Sequence, residues 1–359
     1  MGVDPNDLSG PGADGPYVFY RDNQVIIKSV QAGEESAIAR HQRAKSHESL
    51  RLRCESGETG DHFWIKLKNK HEVEPYVFDM PEKLLAVSDI EGNFQAYKAI
   101  LLGAGVINQN FEWTYGKGHL VLLGDFFDRG LEVTQCLWLS YKLEQEAKAA
   151  GGMAHFILGN HEIMNLSGNH QYVRRKYLEN ARLMAEEYGD LYGPNTELGR
   201  WLRTKHAVVR IGEYVFCHGG ISPELVASSI AFDQINDLSR KYLGRDKSEW
   251  QKDPLANALY NQQTGIFWYR KSARGKLAIA EMQACLDYAS ARTMVVGHTL
   301  APDISALYDG RLICIDLLHE DRLIQGNLEA LLIQQDQLWI QNDKGDLRRI
   351  GDLLLTDRE

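Results

Sequence analysis

Five short polar motifs punctuate this chain, each directly after an apolar run. They are Ser88-Asp89-Ile90-Glu91-Gly92-Asn93, Gly124-Asp125-Phe126-Phe127-Asp128-Arg129-Gly130, Gly159-Asn160-His161-Glu162, Cys217-His218-Gly219-Gly220 and Val296-Gly297-His298-Thr299. Carboxylate, amide and imidazole side chains are the usual protein ligands of divalent cations. An α/β sheet delivers such groups at the carboxyl ends of its strands. One motif of this kind is unremarkable; five in a row predict a shared site.

Asp89 and Glu91 stand two residues apart, a spacing that aims two carboxylates at one point. Like charges that close repel unless a cation separates them. The competing reading is an acidic pair at the N-terminus of the helix that Phe94 opens. Asp125 follows Val121-Leu122-Leu123-Gly124, where Gly124 lets the chain turn sharply. Asp128 and Arg129 come one short turn later. A metal-bridging carboxylate beside a planar guanidinium suits a phosphate ligand; a surface ion pair is the alternative. Asn160 offers a neutral carbonyl ligand, or an N-cap. His161 offers a proton donor of ordinary pKa near ~6.5, and Asp128 is the group to hold its imidazole. His218 and His298 each end a strand and are natural imidazole ligands, against the blander reading of satisfied structural histidines.

Two ligand sets therefore share Asp125: Asp89, Glu91 and Asp125 in one, and Asp125, Asn160, His218 and His298 in the other. The expectation is a pair of divalent ions roughly 3.5–4 Å apart, with a bridging water held as hydroxide.

The elements that must position these groups alternate strand and helix. Leu84 to Val87, His119 to Leu123 and Ala154 to Leu158 read as buried strands. Phe94 to Leu102 and Glu132 to Ala149 read as helices, a layered α/β pattern. Ala207 to Phe216 reads as a hairpin turning at Gly212-Glu213. Asn169 to Glu187 reads as an exposed, charged helix. Helices are expected within Pro223 to Lys241 and over Ala278 to Arg292, then a strand from Thr293 to Val296. The tail from Ile304 reads as strand-rich, with turns at Asp309-Gly310 and Asp343-Lys344-Gly345. Upstream, Tyr17 to Val30 reads as two strands around Asp22-Asn23, with further short strands at His62 to Leu67 and Glu74 to Phe78. The apolar content of this first section is thin. We read residues 1–82 as a β-rich extension packed on a catalytic domain of residues 83–359.

The chain has 359 residues, a net charge of -9 and 44% hydrophobic residues. That balance argues against a nucleic-acid surface, and no apolar stretch is long enough to span a bilayer. The five cysteines are scattered and odd in number, which predicts buried thiols rather than a disulfide framework. The polar, Gly/Pro-rich segment from Met1 to Gly15 has no apolar signal core. A cytoplasmic location is expected, with periplasmic the alternative if an export signal has been removed. Oligomeric state is left open.

The combination Gly-Asp-x-x-Asp-Arg-Gly, Gly-Asn-His-Glu and His-Gly-Gly-x-Ser-Pro resembles the phosphoprotein phosphatase branch of the calcineurin-like metallophosphoesterases, over about residues 83–320. Gly199-Arg200-Trp201-Leu202-Arg203 and Phe267-Trp268-Tyr269-Arg270 resemble the bacterial Shewanella-like subgroup. The resemblance implies a β-sandwich flanked by helices and two metals at one sheet edge (Mn, Fe, Zn or Mg, with Mn favoured). It implies that Asp125 bridges, that His161 is the general acid, and that Arg129 and Arg270 bind phosphate. Arg270 also reads as a surface cation stacked on its aromatic neighbours. The first motif of the family runs Gly-Asp-x-His-Gly; here Ser88 and Glu91 replace Gly and His. An extra carboxylate favours harder ions.

The predicted activity is hydrolysis of a phosphomonoester on a phosphoprotein or phosphopeptide, phosphotyrosine favoured. A cysteine-based phosphatase is excluded, because no cysteine has Arg six positions on. Two alternatives stand. A dinucleoside polyphosphate hydrolase would stack its base on Trp201 or on Trp268 and Tyr269. A degenerate, non-catalytic phosphoprotein binder would account for the altered first motif.

Overall fold

The structure is a computed structural model, and it describes residues 7–33, 36–46 and 50–350. The beginning of the Gly/Pro-rich segment, residues 34–35 and 47–49, and residues 351–359 lie outside the described residues. The strands are β1 (Asp14–Arg21), β2 (Gln24–Gln31), β3 (Ile38–Ala44), β4 (Arg51–Glu55), β5 (His62–Lys66), β6 (Val77–Phe78), β7 (Lys83–Val87), β8 (His119–Leu122), β9 (Met153–Phe156), β10 (Val208–Ile211), β11 (Tyr214–Cys217), β12 (Thr293–Val296), β13 (Ser305–Leu307), β14 (Leu312–Cys314), β15 (Glu329–Gln334), β16 (Gln337–Asn342) and β17 (Leu347–Arg349).

Two six-stranded sheets form a sandwich. One has the order β17-β16-β15-β7-β8-β9, the other β13-β14-β12-β11-β10-β6. Strand periodicity explains the layering, because alternate side chains face opposite ways. Leu84 and Ala86 of β7 join Val209, Ile211, Phe216, Val295 and Ile313 in the core between the sheets. Their neighbours Leu85 and Val87 face outward onto Tyr97, Leu101, Leu137 and Trp138. Val208, Val215 and Cys217 face the opposite way, onto Ile235, Leu259, Phe267 and Leu286. Helices cover both outer faces, as the α/β reading requires.

β7, β8 and β9 run parallel, as do β11, β12 and β14. Parallel neighbours end at the same edge, so the five motifs converge there. The N-terminal strands are tightly packed: Tyr17, Phe19, Leu52 and Phe63 are buried in one cluster with Tyr97, Phe126 and Trp138. β6 joins the second sheet by pairing with β10. The β1–β2 turn falls at Asp22 and Asn23, both left-handed.

One of the expected elements needs correction. The exposed helix read over 169–187 is shorter, Arg175–Leu183, and one face of it is covered: Lys176, Tyr177, Asn180 and Ala181 are buried. Its charged residues masked a narrow apolar stripe. The tail is strand-rich as expected, with one helix, His319–Gln325, between β14 and β15. The five cysteines are free and buried.

Candidate metal centre

The loops after β7, β8, β9, β11 and β12 carry the motifs, and the backbones of those after β7, β8 and β12 are strained. Asp89, Glu91, Asp125, Asp128, Arg129 and His298 all have φ between 48° and 73°. Left-handed non-glycine residues are uncommon and concentrate at functional sites. Close backbone packing enforces the shape. Gly124, at φ 82°, lies against the Gly159 backbone, where any Cβ would collide. The Glu91 amide donates to Asp125 O at 2.9 Å and the Asp89 amide to Gly124 O at 3.0 Å. Glu162 pins the next loop, its carboxylate accepting from the amides of Asp125, Phe126 and Gly159 at 2.7–2.8 Å.

These contacts decide between the earlier alternatives at two positions. Asn93, not Asp89 or Glu91, caps the helix Phe94–Gly103, accepting from the Ala96 amide. Gly159 occupies the N-cap of the helix Asn160–Leu166, so Asn160 is not the cap. Its Oδ1 instead lies 3.0 Å from His218 Nε2.

Asp125 sits at the centre. Its Oδ2 is 3.0 Å from His218 Nε2 and 3.8 Å from His161 Nε2, and its Oδ1 accepts from the His161 amide at 2.8 Å. Asp125, His218 and His298 bring one ligand atom each within 4.8 Å of one another, and so do Glu91, Asp125 and His161. Asp89 lies on the His298 side, its Oδ2 accepting from the His298 amide at 3.1 Å and from the Ser88 hydroxyl. Both groups share Asp125, but Asp89 and Glu91 are drawn apart.

The donor set fits divalent cations. His218 Nδ1 lies 2.6 Å from Leu123 O, which leaves Nε2 facing Asp125 and Asn160. His298 Nε2 is buried without a hydrogen-bond partner. Burial opposes a charged His218, yet Asp125 and Asp89 push its pKa up to about 10. Burial and the neighbouring His218 hold His298 well below the usual histidine range. Burial likewise raises Asp89, with His218 opposing. Positive charge is wanted among these carboxylates, and cations supply it.

His161 has a defined role in the geometry. Its Nδ1 is 2.6 Å from Asp128 Oδ2. Asp128 Oδ2 also accepts from Asn165 Nδ2 at 3.0 Å, and Tyr188 donates to Asn165 Oδ1 at 2.8 Å. Burial disfavours the imidazolium, but Asp125 and Asp128 outweigh it and the His161 pKa is raised. Asn165 and Tyr188 escaped the sequence reading, because nothing in their spacing separates them from ordinary helix residues. Tyr172, 46% exposed, lies with its ring 5.3 Å from that of His161.

Arg129 pairs with Glu91, not with Asp128. Arg270 is not stacked on the surface. One of its terminal nitrogens donates to His298 O, and the other lies 3.3 Å from His298 Nδ1. Asp89, Glu91, Asp125, Arg129, His161, Arg270 and His298 line one cavity of about 570 Å³. Asp128, Asn160 and His218 lie buried just beneath. Asp316 also lines it and was missed. Its signal was the same as for the other five motifs: it follows an apolar strand, Leu312–Cys314, parallel to β12. Burial and Asp89 raise its pKa. Trp201 and Tyr269 are fully buried core residues, and Trp201 donates to Glu144 at 2.9 Å. Neither presents a face to a nucleobase.

Comparison with known proteins agrees with this arrangement. The calcineurin-like phosphoesterase model matches residues 82–302. A crystal structure of a cold-active protein tyrosine phosphatase from a psychrophilic Shewanella species is 30% identical, with a TM-score of 0.85, and the match covers 94% of this chain and 99% of that one. Shewanella-like protein phosphatase 2 of Arabidopsis thaliana is 26% identical over 75% of this chain and 79% of its own length. A symmetrical bis(5'-nucleosyl)-tetraphosphatase of Vibrio cholerae is 30% identical over a shorter stretch, 49% of this chain and 56% of that one. The chain belongs to the calcineurin-like phosphoesterase family and is a phosphoester hydrolase.

Proposed function

We infer that this chain is a metal-dependent protein phosphatase that acts by preference on phosphotyrosine. The observation that carries the reading is that two potential ligand groups, Asp125 with His218 and His298 and Asp125 with Glu91 and His161, share one carboxylate beside a cavity lined by two arginines. The named tyrosine phosphatase, similar along nearly its whole length, supports the substrate preference.

Asp89, Glu91, Asp125, Asn160, His218 and His298 would hold two divalent cations, which supply Lewis-acid stabilisation and an acidified nucleophilic water. We favour manganese, because four of the six, Asp89, Glu91, Asp125 and Asn160, offer hard oxygen donors. Arg129 and Arg270 orient the phosphoryl oxygens and stabilise the charge that grows on them. Their forks are held by Glu91 and by the His298 carbonyl. His161 protonates the leaving oxygen from Nε2, while Asp128 keeps Nδ1 occupied and the ring aligned. The division into an N-terminal β-rich extension, 1–82, and a catalytic domain, 83–359, belongs to this reading; the buried cluster shared by Tyr17, Phe63 and Trp138 supports their packing together. No helix among the described residues is long and apolar enough to cross a membrane.

The test is hydrolysis of matched phosphotyrosine and phosphoserine peptides across Mn²⁺, Mg²⁺, Zn²⁺ and Fe²⁺. The reading expects turnover that depends on metal, is highest with Mn²⁺ and is faster on phosphotyrosine. Turnover of a dinucleoside polyphosphate with neither peptide cleaved would overturn it.

A further inference from the structure

The cavity has two chemically distinct parts. Its floor is charged, with Asp89, Asp125, His161, Arg270 and His298. Part of its wall is not. Leu300, Leu318, Leu323 and Ile324 line the same space. Leu300 is 58% exposed, Leu318 45% and Ile324 80%, among the more exposed large apolar side chains of the described residues. Scattered exposed leucines need no explanation, but apolar side chains gathered at the mouth of a charged site do.

This wall is a fixed platform. Leu323 and Ile324 lie on the helix His319–Gln325, and Leu318 is its N-cap. His319 Nε2 lies 2.9 Å from Ser88 O, which ties the helix to the residue before Asp89. Arg322, itself buried, donates to Asn327 O at 3.1 Å, to Glu329 at 3.0 Å and to Asp303 at 2.6 Å. Leu300 follows His298 by two residues. The apolar groups are thus anchored on both sides to strands that deliver the charged ones.

A molecule complementary to this cavity has a dianionic head for the arginines and cations, and an apolar body close behind it. An aryl phosphomonoester has that shape. A phosphoserine places a polar peptide backbone where the ring would lie, and covers less apolar surface. We propose that Leu300, Leu318 and Ile324 form the subsite that receives the aromatic ring of the substrate and selects phosphotyrosine over phosphoserine. This rests on the phosphatase reading above and adds the residues that would set its preference.

The test uses the full chain with saturating Mn²⁺ and two peptides that differ only in phosphotyrosine or phosphoserine. The double variant Leu318→Ser/Ile324→Ser is expected to raise KM for the phosphotyrosine peptide about tenfold, with kcat little changed. KM for the phosphoserine peptide should move less than about twofold. Leu300→Ser serves as an independent probe should the double variant misfold, and Leu318→Met/Ile324→Leu should restore the wild-type KM. O-phosphotyrosine alone should show the same loss as its peptide. Equal losses on both peptides, no loss on either, or a loss confined to peptides and absent for free O-phosphotyrosine would each overturn the proposal. Wild-type protein that cleaves neither peptide would instead overturn the phosphatase reading itself.

Discussion

Two regions of this molecule bury charge, and they do so in opposite ways. Beneath helix Val133–Ala149, Glu144 accepts from Lys68, from Lys205 at 2.5 Å and from Trp201 at 2.9 Å. Burial would raise its carboxyl, but the two lysines hold it at about 2. One anion there is matched by two cations and an indole donor. At the motif edge, Asp89, Asp125 and Asp316 crowd together with two neighbouring imidazoles, and His298 Nε2 is left without a partner. Six residues of the motif loops are left-handed, whereas Lys68, Glu144 and Lys205 are not. Buried charge that is fully satisfied locks a fold; buried charge that converges unsatisfied marks a place meant for something else.

That contrast can be broken by substitution. The largest effect is expected at Asp125, shared by both ligand groups. Asp125→Asn should lower kcat by about 10³-fold or more and abolish tight Mn²⁺ binding in calorimetry. The metal-free Tm should fall modestly, because the ion pair with His218 is lost while the amide can still accept from the His161 backbone. A large drop in Tm with cation binding intact would make Asp125 a structural residue.

His161→Ala should reduce kcat about 10²–10⁴-fold on an alkyl phosphate, with Mn²⁺ affinity changed little. An aryl phosphate, whose leaving group needs less protonation, should suffer less. Equal, small losses on both substrates would remove His161 from the role of acid.

At the satisfied cluster the response should invert. Glu144→Gln leaves Lys205 buried without its counter-charge, at a cost of about 3–5 kcal/mol. Tm should fall by roughly 4–7 °C while kcat at low temperature stays near wild type. Lost catalysis in a fully folded variant would show that the two regions are coupled.

A smaller effect separates the regions by pH. Burial holds His119 and His206, on the side of the sheets near Glu74, at about 4. Arg240 donates to His206 Nδ1 at 2.8 Å, a bond that needs the neutral ring. Below the ordinary histidine pKa of 6.5 the unfolded chain takes up protons that the folded one refuses. Stability should therefore be complete above about pH 6.5 and fall steadily toward pH 4, by about 5 °C in Tm between pH 7 and 5. His206→Gln should flatten that slope. The subtlest change is Glu91→His, which should keep activity but shift the metal preference away from Mn²⁺. An unchanged metal profile would place Glu91 outside the coordination sphere, as a partner of Arg129 alone.

What was legible in the sequence was local. An apolar run followed by a polar residue identifies the end of a buried strand, and parallel strands end on the same side. That rule places Asp89, Asp125, Asn160, His218 and His298 at one edge without any structure. Applied once more, to Leu312-Ile313-Cys314-Ile315, it would have found Asp316. Other features had no local signal. Trp201 looks like an exposed stacking residue until helix Val133–Ala149 is packed over it. The exposed-looking helix at 175–183 acquires its buried face only when the N-terminal strands lie against it.

By itself the sequence determined the chemical inventory of the site and the edge where it gathers, because alternation and turn residues act over a few positions. Only the tertiary structure decided who meets whom: Glu91 with Arg129, Asp89 with the His298 amide 209 residues away, and Leu318, Leu323 and Ile324 with the charged floor. The physical reason is that such pairings depend on how two sheets stack. That stacking is set by the summed burial of side chains from distant segments, which no short stretch of chain encodes.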